Sequence, residues 1–377
     1  MYRIGVVGTG FIAKGLVDLL TSHQGYTLSG ILTRTNILER SDFPQNHLLT
    51  NSIENLIDCS DLIVECSGDV IYATDTIDRI LKADIPVVTM NSEFHITTGS
   101  YFVDKGLVTE AEGDQPGALA ILHEEAVDMG FNPLVYGNIK GFLNHNPTMK
   151  DMQFWSKKSQ ISLGMVTSFT DGTKVQIEQA LVANGLGAAI IEDGLIGMPY
   201  DDMAVGGNIL ASKAKNLGMP VSDYLLSAKL PAGVFVIVEH EGNQQAAMRY
   251  FKMGDGPYYV LERTYHLCHL EILKTIKRVL SGGGVLLDNS PKPRISVATI
   301  AKRDLKAGAK IDKGIGSFDV RGIAITIKDD INHIPIGLMS DVTLRKDVAA
   351  GERLSFDDVD IPDSLALRIW REMIEKS

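Results

Sequence analysis

The sequence predicts an α/β chain: an N-terminal doubly wound domain of the Rossmann kind, a second domain of different pattern, and a small β-rich domain at the C-terminus. Three observations predict this. A strand, a Gly-x-Gly-x-x-Ala turn and an amphipathic helix follow one another at the start of the chain. Short apolar runs then alternate with helical patterns, the rhythm of a parallel sheet. Near the end, a motif recurs at a spacing of 43 residues, Ala301–Asp312 and again Leu344–Ser355. The expected domains are residues 1–130, 131–290 and 291–377.

The first strand is Ile4-Gly-Val-Val7, and Gly8-Thr-Gly-Phe-Ile-Ala13 follows at once. This is the G-x-G-x-x-A form of the dinucleotide fingerprint. Gly8 allows the tight turn, Gly10 lets backbone approach a pyrophosphate, and Ala13 is small enough for close helix packing. Ile12, Leu16, Leu19 and Leu20 then fall on one helix face. The helix N-terminus directs free N–H groups at the anion. Gly8, Thr9, Gly10, Phe11 and Ile12 are therefore expected at the cofactor; a glycine-rich turn with no ligand is the plain alternative.

The second strand, Thr27–Leu32, leads into Thr33-Arg34-Thr35. An NAD-preferring site usually has an acid here for the ribose hydroxyl. This chain offers an arginine between two hydroxyls, and a guanidinium pairs well with the 2′-phosphate of NADP. NADP is the expected cofactor, NAD the alternative, and a solvated loop arginine the plain reading. The runs Asp61–Cys66 and Ile85–Thr89 continue the sheet, with helical patterns at 53–58 and 71–83. Ligands of such sheets bind beyond the carboxyl ends of the strands. That places Ser67, Gly68, Asn91 and Glu93 near the nicotinamide.

After about residue 130 the pattern changes. Phe131–Tyr136 reads as a strand and Gly137–Pro147 as a polar loop, a natural substrate wall. Ser168–Lys174 then leads into a helix through Ala183, which Thr170 or Asp171 can cap. Lys174 and Glu178 share a face of that helix, where a surface ion pair is the plain reading. Pro291 and Pro293 mark a linker, and the repeat follows. Eight of its twelve aligned positions are identical or conservative. Each half reads as a turn and a half-buried strand.

Composition bounds the partners. Against 36 Lys+Arg stand 47 Asp+Glu, a net charge of −11, which disfavours nucleic acid. No apolar run approaches the length of a membrane helix, and Val234–Val238 is among the longest. The chain begins on a strand with no basic leader, so a cytoplasmic protein is expected. Cys59, Cys66 and Cys268 lack paired metal spacing.

Met90-Asn-Ser-Glu93, Ala111–Pro116, Gly137-Asn-Ile-Lys140, Ser168–Lys174 with Val182–Gly185, Tyr265–Glu271 and the repeat from Val297 to Val359 resemble one family. It is the homoserine-dehydrogenase-like oxidoreductases that end in a SAF (antifreeze-like) domain, and within them the 1-deoxy-D-xylulose 5-phosphate reductoisomerase-like group. The likeness implies an NAD(P)-binding Rossmann domain, an α+β catalytic and dimerisation domain, and a SAF domain at 291–377. It also implies a homodimer or higher homo-oligomer acting on a small molecule. Homoserine dehydrogenases carry an Asn-Lys pair where this chain has Asn91-Ser92.

Reduction of a carbonyl needs positive charge or donors where the alkoxide develops, and a group that moves the proton. Lys140 and Lys174 are the candidates, one as oxygen clamp and proton donor, the other for a substrate carboxylate or phosphate. Asp171 orients a lysine, holds a hydroxyl or caps the helix. Glu93 holds a hydroxyl or a divalent metal, although no carboxylate cluster announces one. His266 and His269 read as packed side chains. The expected activity is NADP-dependent hydride transfer on a small polar hydroxy-carbonyl compound, as a sugar-phosphate reductoisomerase or as a homoserine-type semialdehyde reductase. A non-catalytic NADP-binding sensor or scaffold is the alternative of another class.

Overall fold

The computed structural model describes residues 1–240 and 244–376, and the chain divides into two compact units. The first takes Met1–Gly117, Leu267–Lys292 and Ser364–Ser377; the second takes Ala118–His266 and Pro293–Asp363. These do not coincide with the divisions expected at 130 and 290, because the chain re-enters the first unit twice. Ile272, Ile276 and Val279 join the apolar cluster of Leu16 and Leu20, and Ile369 joins that of Ile77, Phe94 and Phe102. A change of sequence pattern marks where local structure changes, whereas packing decides what belongs together.

In the first unit the elements run β1 (Tyr2–Val7), α1 (Phe11–Ser22), β2 (Tyr26–Leu32), β3 (Leu49–Thr50), α2 (Ile53–Asp58), β4 (Leu62–Glu65), α3 (Val70–Leu81), β5 (Val87–Thr89), α4 (Ser92–Thr98) and β6 (Val108–Glu110). The six strands form one parallel sheet in the order β3-β2-β1-β4-β5-β6. This is the doubly wound arrangement, whose strand order reverses at β1. β4 is buried at every residue, as a sheet covered on both faces requires. Ala13, Leu16, Val17 and Leu20 bury one stripe of α1.

Helix α5 (Gln115–Asp128) carries the chain into the second unit. There follow β7 (Phe131–Lys140), α6 (Met149–Ser159), α7 (Leu163–Thr170), α8 (Thr173–Gly185), α9 (Met203–Leu217), β8 (Val221–Leu226), β9 (Val234–His240), α10 (Gln245–Tyr250) and β10 (Tyr258–Arg263). Next are α11 (Ile272–Leu280), in the first unit, then β11 (Ile295–Ala301), β12 (Lys310–Lys313), β13 (Val320–Thr326), β14 (Ser340–Leu344), β15 (Val359–Asp360) and α12 (Leu365–Glu375), which returns to the first unit. The main sheet of the second unit is mixed, in the order β10-β9-β7-β8. Strands β11 and β13 form an antiparallel pair, and β12, β14 and β15 a three-stranded sheet. Among the described residues, no helix is long and apolar enough to cross a membrane.

The two copies of the repeat pair with each other about a local dyad. Leu305 and Val348, equivalent residues, exchange both backbone hydrogen bonds at 2.8 and 2.9 Å. The Gly308 N–H donates to the Leu344 carbonyl, and the Gly351 N–H to the Ala301 carbonyl. Asp347 accepts from the Ala307 N–H, and Asp304 accepts from the Ala350 N–H.

One expected loop is a strand. Gly137–Lys140, read as the start of a polar wall, completes β7, with Gly137 facing Phe235 across the ladder. The Phe235 ring covers the bare glycine so closely that a Cβ there would overlap it. The aromatic ring supplies the packing that glycine lacks. Gly137→Ala is expected to destabilise the protein by about 2 kcal/mol through overpacking. A thermal unfolding midpoint equal to that of the wild type would contradict this.

Candidate cofactor and substrate sites

The turn between β1 and α1 is Gly8-Thr9-Gly10. Gly8 has φ +108°, a left-handed value that favours glycine, and a Cβ there would lie 2.9 Å from the Cys66 carbonyl oxygen. Its N–H donates to the Leu32 carbonyl at 2.9 Å, which seats the turn where the strand order reverses. Gly10 caps α1 without a side-chain hydrogen bond, and the space beside it is open. The first N–H groups of a twelve-residue helix therefore face a cradle without side chains. These features fit a dinucleotide pyrophosphate.

Phe11, at the start of α1, is half exposed and meets His269 edge-on at 5.9 Å. Ile12 packs against the apolar cluster beneath. Gly15 explains itself here: a Cβ would overlap the His269 ring, so the helix keeps a glycine, which costs about 1 kcal/mol relative to alanine. His269 is thus a packed side chain, as expected.

Beyond β2, Asn51 Nδ2 donates to the carbonyls of Thr33 and Thr35 at 2.6 and 3.0 Å, bracing the loop. Thr33 is buried and its Oγ1 accepts from the Thr35 N–H. Arg34 donates to Asp69 at 2.9 Å and lies over the Tyr72 ring at 4.5 Å, yet its side chain stays 53% exposed. Arg40 donates to Thr9 Oγ1 at 2.5 Å and to the Thr9 carbonyl at 3.1 Å. A cavity of about 280 Å³ opens beside Leu32, Asn51, Ile53 and Tyr72.

At the carboxyl ends of β4, β5 and β6 the groups are mostly buried. Glu65 accepts from the Ser67 N–H at 2.7 Å and from Thr89 Oγ1 at 3.0 Å. Burial raises its pKa and these hydrogen bonds pull it back; burial also pushes the Cys66 thiol up. Gly68 is exposed in a left-handed conformation at φ +63°. Asn91 is fully buried and its Oδ1 caps α4 by accepting from the Phe94 N–H at 3.0 Å. Ser92 is also fully buried, with its Oγ 3.2 Å from Glu110 and 3.0 Å from Asp114. Glu93 lies half-buried in the first turn of α4. His95 Nε2 is 3.5 Å from Glu110, and burial lowers the histidine pKa to about 3.

In the second unit, Lys140 is the last residue of β7. Its Nζ and Asn138 Nδ2 donate to the same oxygen of Glu178, at 3.0 and 2.9 Å. Glu178 is buried and takes the Lys140 ammonium, so its charge is not spent on the surface as expected. The glutamate turns inward to β7 because α8 is covered on every side, with eleven of its thirteen residues buried. Lys140 keeps 18% of its side chain exposed.

Helix α7 ends at Thr170 and the cap of α8 is Gly172, so neither Thr170 nor Asp171 holds the cap position. Asp171 still accepts from the Thr173 N–H at 2.8 Å. It is fully buried, and Lys302 donates to it at 2.5 Å and to the Ser317 carbonyl at 2.5 Å. Burial pushes the Asp171 carboxyl up and the Lys302 ammonium down, while their mutual attraction opposes both. Lys174 stands half-buried in the first turn of α8.

The structure thus gathers Gly8, Thr9, Gly10, Phe11, Thr33, Arg34 and Thr35 around one turn. It sets Lys140, Asp171 and Lys174 near or at the ends of elements joined through α8. Asn91 serves as a helix cap. Among the described residues, no group of three or more His, Cys, Asp or Glu side chains is arranged to hold a metal, so Glu93 is in none. Arg40, Asn138 and Lys302 escape the sequence reading. Arg40 had a signal, a second arginine in the loop after β2; Lys302 had none, being 131 residues from its partner.

Residues 113–272 match the family described as oxidoreductase DRL, catalytic domain, and residues 8–101 match the homoserine dehydrogenase NAD binding domain. The chain is an NAD(P)-dependent oxidoreductase, which removes the non-catalytic scaffold as an account of it. Comparison with curated proteins gives no match. Similar solved structures include a probable dehydrogenase from Thermotoga maritima, at 15% identity over 76% of this chain and 91% of that one, TM-score 0.45. Another is UDP-N-acetylglucosamine 3-dehydrogenase from Acidithiobacillus ferrooxidans, at 10% identity over 76% and 92%, TM-score 0.43. A third is a dipicolinate-bound dihydrodipicolinate reductase from Paenisporosarcina, at 12% identity over 76% and 97%, TM-score 0.37. Likenesses this distant carry no argument about substrate or mechanism.

The buried His95 gives the fold a pH dependence with a definite sign. Its folded pKa, about 3, lies below the ordinary 6.5, so the unfolded chain takes up the proton first as pH falls. Stability is therefore lost from about pH 6.5 downward. Between pH 7 and 5 the wild type is expected to lose about 2 kcal/mol more than His95→Gln in urea unfolding. Equal losses in the two proteins would show that the ring protonates freely in the folded state.

Proposed function

We propose that the protein is an NADP-dependent reductase of a small anionic hydroxy-carbonyl compound. The leading reaction is reductive isomerisation of a ketose phosphate of the 1-deoxy-D-xylulose 5-phosphate kind. The observation that carries this reading is the half-buried Lys140 ammonium, fixed by Glu178 at the end of β7. It lies in the stretch that matches an oxidoreductase catalytic domain. Such an ammonium is suited to stabilise a developing alkoxide and to give it a proton. Glu178 and Asn138 hold it in place, and the remaining N–H groups of Lys140 are left for a carbonyl oxygen.

NADPH, when bound, supplies the hydride. Gly8, Gly10 and the α1 N–H groups receive its pyrophosphate, Arg34 and Arg40 its 2′-phosphate side, and the cavity beside Tyr72 its adenine. The absence of an acid at residues 33–35 supports NADP over NAD. The self-paired C-terminal repeat supports reading that part as a SAF-like module.

A semialdehyde reductase of the homoserine type is the second reading, favoured by the match of residues 8–101. Against it, the residue after Asn91 is a serine with its hydroxyl buried between Glu110 and Asp114, so no ammonium stands there.

Two measurements test these assignments. Arg34→Ala is expected to raise KM for NADPH about 10- to 100-fold and to leave that for NADH unchanged. Equal effects on both cofactors, or no cofactor binding by calorimetry, would remove the NADP assignment. The second follows NADPH oxidation with 1-deoxy-D-xylulose 5-phosphate, aspartate semialdehyde and keto-acids, each with and without Mg²⁺ or Mn²⁺. Turnover is expected with the ketose phosphate, and Lys140→Ala is expected to lower kcat about 100-fold or more while cofactor binding persists. No turnover with any of these compounds, or full activity in Lys140→Ala, would end the reading.

A further inference from the structure

We infer that Arg321, with His145 beside it, forms a seat in the second unit for a terminal oxyanion, the phosphate or carboxylate of the substrate. This rests on the reductase reading above and adds to it the residue that recognises the substrate's charge.

The argument begins with where the charges around α8 are spent. Lys302 is almost wholly buried and gives its donors to Asp171 and to the Ser317 carbonyl. Arg303 is held by Asp319, and Lys140 by Glu178. Arg353 reaches both Asp193 and Asp330. Arg321 differs from all of these. Among the described residues, its guanidinium is in no hydrogen bond and no ion pair, although the side chain is partly buried. The carboxylate whose charge it feels, Asp171, already accepts from Lys302 and from the Thr173 N–H. Tyr224 is the other group that acts on it.

Two cations thus share one buried carboxylate, and a positive charge is left over. An arginine cannot shed its proton to escape the cost of burial. A guanidinium held partly out of water with no hydrogen-bonded partner of its own is costly to the fold unless something brings that partner from outside. Its planar fork matches the two oxygens of a carboxylate or phosphate.

The position of Arg321 supports this. It lies in β13, and the next residue, Gly322, donates its N–H to Thr173 Oγ1 at 3.0 Å. The Ala324 N–H donates to Gln176 Oε1 at 2.8 Å. The strand is therefore laid along the first turns of α8, and Arg321 stands at the helix's N-terminal end. His145 comes to the same end: its ring lies 3.7 Å from where a Cβ of Gly172 would be. Burial and the neighbouring Arg321 and Lys302 lower the histidine pKa, while Asp171 raises it. The uncharged imidazole can donate one N–H without adding a second unmatched charge. Gly172 itself has φ +86°, and a Cβ there would also touch Leu143 at 3.9 Å.

The test is calorimetric, on the full chain saturated with NADP⁺ so that the glycine turn is filled, in buffer free of other oxyanions. Inorganic phosphate and acetate are titrated separately, and the tighter of the two names the terminus that the seat prefers. Wild-type protein is expected to bind one of them. Arg321→Met is expected to weaken that binding about 10- to 100-fold, and Arg321→Lys less so, with NADP⁺ affinity unchanged in both. The lysine variant keeps the charge and serves as the probe should the methionine variant not fold. In turnover, Arg321→Met is expected to raise KM for the anionic substrate by a similar factor and to leave kcat within about threefold. Unchanged anion affinity in the variants, or no binding of either anion by the wild type, overturns the seat. If no carbonyl compound is reduced while Arg321-dependent binding persists, the reductase reading falls and the seat stands. If turnover is found but KM is the same in Arg321→Met, the seat falls and the reductase stands.

Discussion

The second unit depends on one helix that is buried all round yet polar along much of its length. In α8, apolar residues alternate with side chains that each satisfy a different piece of backbone. Thr173 and Gln176 accept from β13, and Gln176 also donates to the Gly194 carbonyl. Gln179 donates to the carbonyls of Tyr136 and Asp223. Asn184 accepts from the N–H groups of Arg294 and Ile295 and donates to the Ile295 carbonyl. A buried network of this kind favours one arrangement of the strands around it, because a shift of any strand would unpair several of these groups, although Gln179 Oε1 and Asn138 Oδ1 have no partner among the described residues. Glu178 belongs to the same set, which is why the position of Lys140 is a property of the whole unit.

On the proposed function, the electrostatic problem is the same in both units. A chain with a net charge of −11 has to receive an anionic cofactor. On the proposed reading it does so with local donors, which act over a few ångströms, while its mean charge is screened over about 10 Å at moderate ionic strength. In the first unit the proposed donors are helix N–H groups and two arginines, Arg34 tied to Asp69, and Arg40 to Thr9 and Asp42. Such tethers hold a guanidinium in place before the ligand arrives, and so reduce the ordering cost of binding.

Much of the first unit is legible because its rules are local. The turn Gly8–Gly10, the stripe of α1 and the strands before each crossover follow from residues within a few positions of one another. β7 is less legible: Gly137 reads as a loop residue until Phe235, nearly a hundred positions away, is laid across it. Glu178 shows the same limit, since its spacing to Lys174 is right for an exposed pair and nothing nearby announces that the helix is enclosed. An even spread of polar and apolar residues around α8 was the available sign, since such a helix is not an ordinary surface one. Lys302 and Arg321 lie beyond any local rule. They arrive at Asp171 from β11–β13, and only the folded chain brings them there. The unit boundaries fail for a like reason, α11 and α12 being returned to the first unit by packing alone.

The dyad in the C-terminal repeat bears on how such a module arises. Its contacts are reciprocal: each half supplies the aspartate that closes the other's turn, and the equivalent residues Leu305 and Val348 bond to each other. This is the geometry of a two-fold homodimer, in which one surface meets its own copy. A duplicated segment with that property is complementary to itself from the moment of duplication, before any further substitution. The two copies are then free to diverge wherever they do not touch the axis, and the paired aspartate, alanine and glycine positions are where they have stayed the same.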